Sequence, residues 1–433
     1  MSDFRIKADW VPSDEQDILM RETAAALQID VNGYLLTKNT NIWTKSVQDK
    51  VIVSTYPLAQ WFAYHWWRLE NELEPDGEPN FDWRFAHELG AANHGFVWPR
   101  VVFASDGTLM NISFGSFREQ KQMQDQSVEY IYQSEKTQTV TLLDFQNAVK
   151  GLIEKSIEQL SIDSDLKDLW NIVCEDIQSP NNSAIRKIEG MLGFDPEECP
   201  SKLLNQFINY QRRIGVDSMK ELAPFFKSGQ MQSYLVFDKS ISAKLQIAPE
   251  EISFDSSKDV LPWQQGKKAA KQLRERCDFT QDCISNKNLR DLLNISEKDF
   301  NSYEEENGKS LISIGKRNNN NTFQIVPRMH KRSTGRRFEL ARLICDALLT
   351  SKEQDKEWLV ASDYGSFRQK RQRSFAAEFL CPINSLLEFL NKDFSDSMLE
   401  AAAEHFDVSE WTVRTTLVNN NVVSRNKVLP CPV

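Results

Sequence analysis

No two cysteines of this chain form a C-x-x-C pair. The seven (Cys174, Cys199, Cys277, Cys283, Cys345, Cys381 and Cys431) are scattered and odd in number. That pattern argues against a disulfide framework or a zinc ribbon and for reduced cytosolic thiols. Cys277 and Cys283 are six apart with no histidine nearby, which does not suit a metal site. A long apolar run is also missing. The most apolar stretch, Tyr56 to Trp67, is interrupted by Gln60 and His65 and falls short of the roughly 20 residues a membrane helix needs. The start, Met1-Ser2-Asp3-Phe4-Arg5, lacks the basic-then-apolar order of a signal peptide. No segment has the composition of a disordered chain, and no repeat of fixed long period is visible. These absences predict a soluble, cytoplasmic protein with no membrane partner.

Apolar material is plentiful. The 433 residues are 40% hydrophobic and 10% aromatic, enough for substantial cores and, by length, about three domains. The net charge of −10 is unevenly spread: from Leu311 onward 18 Lys and Arg face 14 Asp and Glu, a balance of +4, which leaves −14 on the first 310 residues. The acidic majority argues against a chain that coats nucleic acid along its whole length, but leaves room for one basic site near the C-terminus.

Residues 1–125 hold seven of the eleven tryptophans. Val51-Ile52-Val53 and Val101-Val102-Phe103-Ala104 alternate like strands, and Pro57 to Leu69 has helical spacing, so this region reads as an α+β domain. The tryptophans from Trp61 to Trp67 could form a ligand cage or a partner surface, although at helical spacing they fit a core. The polar stretch 125–138 reads as a boundary. Residues 139–305 read as mostly helical: Thr141 opens a helix to about Leu160, Asp165 starts another, Gly193 to Pro196 ends one, and Pro262-Trp263 leads into a helix through Arg276. Beyond 306, Ser310–Gly315 and Thr322–Val326 alternate as a hairpin around the asparagines 318–321. Amphipathic helices follow at about 335–350 and 366–380, then a helix–turn–helix pattern over about 396–418.

Two stretches carry a resemblance: Arg337-Phe338-Glu339-Leu340-Ala341 on the first of those helices, and Phe375-Ala376-Ala377-Glu378-Phe379-Leu380-Cys381-Pro382 on the second. Together with the closing Ala402-Ala403-Glu404-His405-Phe406-Asp407-Val408-Ser409, they make about the last 120 residues resemble the ImmA/IrrE zinc metallopeptidase family. The resemblance implies a degenerate zincin-like fold over 306–395 and a helix-turn-helix-like unit over 396–433. The expected fold class is thus α+β and mainly helical: an α+β N-terminal domain (1–125), a helical middle (139–305) and these two C-terminal parts. In the family the first helix carries H-E-x-x-H, whose histidines lie about 6 Å apart on one helical face and share an ion, while the glutamate acts as general base. Here Arg342 takes the first histidine's place, Leu343 the base's, Asp346 the second histidine's, and the stretch around Gln369 has no acid. A permanent cation repels zinc and leucine moves no proton, so the resemblance implies a pseudoenzyme with no metal and no cofactor. A second histidine pair, His87 and His94 within His87-Glu88-Leu89-Gly90-Ala91-Ala92-Asn93-His94, is seven apart, or about 10.5 Å along a helix, too far for one ion unless the segment bends.

Glu339, Arg342 and Asp346 fall at i, i+3 and i+7, one polar stripe. It could be a salt-bridged replacement for the metal site, with Arg342 and Asp346 as a pair, or a repurposed pocket. Between Phe323 and Arg373 twelve Lys and Arg face six acids. Arg336 and Arg337 at the start of one helix, and Arg368, Lys370, Arg371 and Arg373 at the start of the next, oppose the helix dipole. With Arg342 they are candidates for binding a phosphate, a nucleotide or a nucleic-acid backbone. The other partner available to them is the acidic remainder of the chain itself. In the terminal unit Ser409 should cap a helix that begins Glu410-Trp411-Thr412 with only Arg414 for charge, a poor start for reading DNA. Taken together, the sequence predicts a non-catalytic regulatory or sensor protein that recognises an anion, nucleic acid or protein. By family analogy it would serve bacterial stress response or antiviral (antiphage) defence. The alternative is an enzyme with non-zinc chemistry, in the N-terminal domain or at the altered site.

Overall fold

The computed structural model describes residues 3–115, 128–131, 135–229, 240–247, 252, 261–279, 283–301, 312–318, 322–328, 332–349 and 357–424. The asparagines 319–321 of the expected turn, Lys331 and Cys431 lie outside them. Helix outweighs strand, 53% against 18%, and every named sheet pairing is antiparallel, so the chain is mixed α and β with helix dominant. It forms two compact units, Met1–Gln206 and Phe207–Val433, each with its own hydrophobic core.

In the first unit β1 (Phe4–Trp10) pairs along its whole length with β2 (Ala24–Val31), which also pairs with β3 (Tyr34–Leu35) and β6 (Val51–Ser54). β4 (Asn39–Asn41) lies between β5 (Val47–Gln48) and β9 (Val128–Tyr130). β8 (Leu109–Phe114) lies between β7 (Val101–Ser105) and β10 (Lys136–Thr141). The helices are α1 (Ile18–Glu22), α2 (Tyr56–Tyr64), α3 (Trp66–Asn71), α4 (Phe81–His87), α5 (Leu142–Gln159), α6 (Asp165–Gln178) and α7 (Pro180–Met191). Thr141, at the end of β10, accepts a hydrogen bond from the Asp144 amide and so caps α5. The tryptophans Trp61, Trp66 and Trp67 are buried in this core, which settles their reading as core against a ligand cage.

The division between units falls inside α8 (Ser201–Ile214), not in the polar stretch 125–138. Lys136 to Thr141 is an edge strand, and Phe145, Val149, Leu152 and Ile153 of α5 join the N-terminal core. An antiparallel strand with one solvated face alternates polar and apolar residues, so in the sequence it resembles a linker.

In the second unit the sheet order is β11 (Ile241–Lys244), β13 (Thr322–Val326), β12 (Ser313–Arg317), β14 (Leu359–Ala361). Its helices are α9 (Val216–Lys227), α10 (Pro262–Arg276), α11 (Asn286–Leu293), α12 (Glu297–Asn301), α13 (Ser333–Leu349), α14 (Phe367–Leu380), α15 (Ile383–Leu390), α16 (Asp396–Phe406) and α17 (Glu410–Asn419). The order of hairpin, helix, helix and terminal helix pair follows the sequence pattern, while β14 lies where a loop was expected. Ser409 caps α17 through the Thr412 amide. The terminal helices are not separate: Leu399, Phe406, Val413 and Leu417 share one core with α13 and α14.

Candidate functional site

α13 is buried on almost every side from Arg336 to Leu348, although it carries Arg336, Arg337, Glu339, Arg342 and Asp346. A helix wholly enclosed by protein is usually apolar all round, and a buried charge is tolerated only when paired and hydrogen-bonded. Each of these charges therefore needs an internal partner. β14 and the start of α14 supply those of Asp346, and Gln369 of α14 is one of those of Arg342.

Asp346 is fully buried. Its carboxylate accepts from Arg368 Nε at 2.7 Å, from Arg368 Nη2 at 2.6 Å and from the Val360 amide at 3.0 Å. This is a bidentate pair, the strongest geometry for arginine and carboxylate. Arg368 also donates to the Trp358 carbonyl at 2.7 Å and to Ser218 Oγ at 3.3 Å. Arg342 donates from Nη1 to Glu339 Oε2 at 3.0 Å, and from Nη2 to Gln369 Oε1 at 2.7 Å and to the Ser362 carbonyl. Glu339 in turn accepts from Ser313 Oγ at 2.7 Å. The expected Arg342–Asp346 pair is therefore replaced by two others, Arg342 with Glu339 and Arg368 with Asp346. Gln369, held by Ser366 as N-cap of α14, joins them: its Oε1 also accepts from the Ser362 amide, and its Nε2 donates to Val360 O and Glu221 Oε2, each at 3.0 Å.

α9 adds a second set that sequence reading missed. Glu221 Oε2 accepts from Ser366 Oγ at 2.8 Å as well as from Gln369. Glu357 accepts from the Asp217 and Ser218 amides at 3.2 and 2.9 Å and from Ser218 Oγ at 2.6 Å. A carboxylate of the chain itself thus occupies the N-terminus of α9, where an external anion would otherwise be favoured. Gly215 makes room for it: its φ is +104°, and a Cβ there would lie 2.3 Å from the Glu357 carboxyl carbon. A glycine directly ahead of a helix beginning Val216-Asp217-Ser218 is the only local trace of this contact in the sequence.

Burial pushes the Glu221 carboxyl above its ordinary value of 4.5, against the nearby Arg368 guanidinium and the hydrogen bonds from Ser366 and Gln369. A carboxyl raised in the folded state favours folding below its unfolded value, and that contribution is lost as pH rises through the folded one. Glu221→Gln should therefore flatten the decline in melting temperature as pH rises from about 4.5, leaving the variant relatively more stable at neutral pH. A decline as steep as in the parent chain would mean that Glu221 is ionised in the fold. Burial likewise pushes the Cys345 thiol of α13 up to about 12, so that cysteine is an inert part of the core.

The other anion-binding candidates fall into two groups. Arg336 donates to the Phe300 carbonyl at 2.9 Å and stacks over its ring. Arg337 donates to the Asp407 carbonyl at 2.9 Å, to Asn286 Oδ1 at 2.6 Å and to the Ile284 carbonyl, beside the Asp407 carboxylate at 3.1 Å. With Arg342 and Arg368 they are buried and bound to the chain itself, which is the internal-partner reading. Lys370, Arg371 and Arg373 are part-exposed, and Arg373 donates to the Tyr364 carbonyl at 3.1 Å. In α17, Arg414 pairs with Asp396 at 2.7 Å and with Glu410 at 3.5 Å. His87 and His94 do not converge: His87 is buried, its ring nitrogens facing the Phe103 carbonyl at 2.8 Å and Glu72 at 3.2 Å, while His94 is exposed.

At the positions that the resemblance aligns with the zinc site stand a guanidinium (Arg342), an alkyl chain (Leu343), a carboxylate held by an arginine (Asp346) and an amide engaged at both ends (Gln369). Among the described residues no group of three or more His, Cys, Asp or Glu side chains could hold a metal ion. Among the described residues, too, no helix is long and apolar enough to cross a membrane. Comparison of the chain with protein-family models, with characterised proteins and with solved structures finds no match.

Proposed function

We propose that the second unit is a relative of the ImmA/IrrE metallopeptidases in which the zinc site has become a structural ion-pair network, and that the chain acts by recognition and not by hydrolysis. One observation supports this reading above the others. Arg342, Asp346, Arg368 and Gln369 hydrogen-bond one another and their flanking backbone in a buried cluster, in which the Asp346 carboxylate is committed to Arg368. The regulatory or defence role that the resemblance suggests belongs to the same proposal. Recognition then falls to outer surfaces. On the basic side these are the part-exposed Lys370, Arg371 and Arg373 of α14, facing a polyanion such as a nucleic-acid backbone.

The test uses the full chain and duplex DNA at low salt. Lys370→Glu, Arg371→Glu and Arg373→Glu together should weaken binding by about tenfold or more and reduce its salt dependence. Arg414→Ala should change little. Arg368 is not a surface residue and is left intact. A zinc-loaded chain should hydrolyse no protein substrate. Hydrolysis by it, unaltered DNA binding in a triple variant of parental melting temperature, or dominance of Arg414 would each overturn the reading.

A further inference from the structure

We propose that the α4 face of the first unit is a docking site for a basic protein segment that presents arginine or lysine side chains. The face carries three solvent-exposed rings: Phe81 (81% exposed), Phe85 (47%) and Tyr64 (42%). They adjoin one another. Phe81 and Phe85 lie 6.1 Å apart between ring centroids, and Phe85 and Tyr64 each meet the buried ring of His65 edge-on, at 5.5 and 5.0 Å. A single exposed phenylalanine is ordinary, whereas neighbouring exposed rings rimmed by charge mark a contact surface.

The rim is acidic. The exposed carboxylates leading into and on α4 are Glu74, Asp76, Glu78 and Asp82, against one arginine, Arg84. That arginine is held by Glu88, at 2.7 and 3.1 Å. On the other side the Tyr64 hydroxyl donates to Glu198 Oε1 at 3.2 Å, and Glu197 and Glu198 are exposed. Exposed aromatic faces attract cations, while the carboxylates repel nucleic acid and anionic lipid. The chemistry that fits both is an arginine or lysine side chain over a ring with its charge near an acid. The 6.1 Å between Phe81 and Phe85 is close to the ~6.7 Å between residues i and i+2 of an extended chain. Alternate residues of an extended segment can therefore address the two rings.

The face is held rigidly. Trp61 Nε1 donates to the Phe85 carbonyl at 2.9 Å. Arg68 donates to the main chain and carboxylate of Asp82, each at 3.2 Å, and also binds Glu72 and Asp195. Docking on a preorganised surface loses little entropy.

The experiment titrates a fluorescently labelled oligo-arginine peptide with the full chain at low salt. Because an acidic protein attracts such a peptide anywhere, the decisive variant changes no charge. Phe81→Ala with Phe85→Ala should weaken binding by about tenfold at unchanged melting temperature. Phe81→Tyr with Phe85→Tyr should bind like the parent chain, and Glu198→Gln should weaken binding several-fold. An oligo-glutamate peptide should not bind. The proposal is overturned if the double alanine variant binds as the parent does, if Asp393→Asn on the second unit weakens binding as much as Glu198→Gln, or if the parent chain does not bind.

Discussion

Asp346→Asn should cost the second unit about 3–5 kcal/mol, because it takes from the buried Arg368 the one carboxylate that binds it bidentately. The substitution preserves size, so the loss is electrostatic and not a cavity. The Asn amide nitrogen would also face a donor, since Asp346 accepts from two nitrogens of Arg368 and from the Val360 amide. Arg368→Met should cost a similar amount for the reciprocal reason: the buried Asp346 carboxylate would lose both of its arginine hydrogen bonds. The combined variant Asp346→Leu/Arg368→Met removes both charges and should lie much closer to the parent chain than the sum of the single losses, since well-packed apolar residues often replace a buried ion pair at little net cost. The measurement is a double-mutant cycle on the denaturation midpoint of this unit, completed with Asp346→Leu alone. Arg342→Met, by contrast, should couple weakly to Asp346, because Arg342 is bound to Glu339, Ser362 and Gln369. Additive losses at 346 and 368, or strong coupling between 342 and 346, would overturn the observed partners.

Partner choice is also where sequence reading stopped. The stripe Glu339, Arg342, Asp346 was legible because residues three and four apart share a helical face, and the 3.0 Å pair of Arg342 with Glu339 follows from it. The bond between Asp346 and Arg368 does not, since it joins residues 22 apart that meet only when α14 lies against α13. Glu221 and Ser218 reach the cluster from about 150 positions away, and nothing in their local sequence distinguishes them from ordinary helix residues. The hairpin of β12 and β13, α10, α13, α14 and the terminal helix pair were legible through their periodicity, and Ser409 through its capping chemistry, whereas β11, β14, α9 and α15 were not. The unit division was not, because Lys136 to Thr141 is polar enough to pass for a linker although it pairs with β8 throughout. The basic cluster misled in the same way. Charge near a helix start is visible in sequence, but whether an arginine faces solvent or a carbonyl such as those of Phe300, Asp407 and Ile284 is decided by folding.

Gly266→Ala should destabilise the second unit by about 1–3 kcal/mol and Gly266→Val by more, although alanine is the better helix former by about 1 kcal/mol. The reason is the crossing of α10 and α14. A Cβ at Gly266 would lie 2.3 Å from the Arg371 carbonyl oxygen and 2.9 Å from the Phe375 nitrogen. Both are backbone atoms that cannot turn aside as a side chain can, so the helices must separate. They are bound together beside that point by Ser374 Oγ to the Trp263 carbonyl at 2.9 Å and by Arg274 Nη1 to the Phe379 carbonyl at 2.7 Å, over a core that includes Ala269, Ala270, Phe375 and Phe379. Gly151, within α5, supplies the opposite case: no atom lies within 4 Å of the Cβ it would carry. Gly151→Ala should therefore stabilise by about 0.5–1 kcal/mol through helix propensity alone. Opposite signs for the same substitution isolate the contact from the propensity. The effect should also reach the ion-pair network, because α14 carries Arg368 and Gln369. Thiol labelling reads this directly: Cys345 and Cys381 are fully buried in the parent chain, and in Gly266→Val both should react faster with a thiol reagent under native conditions. Unchanged stability in Gly266→Ala, or labelling as slow in Gly266→Val as in the parent chain, would mean that the two helices are not in the contact described.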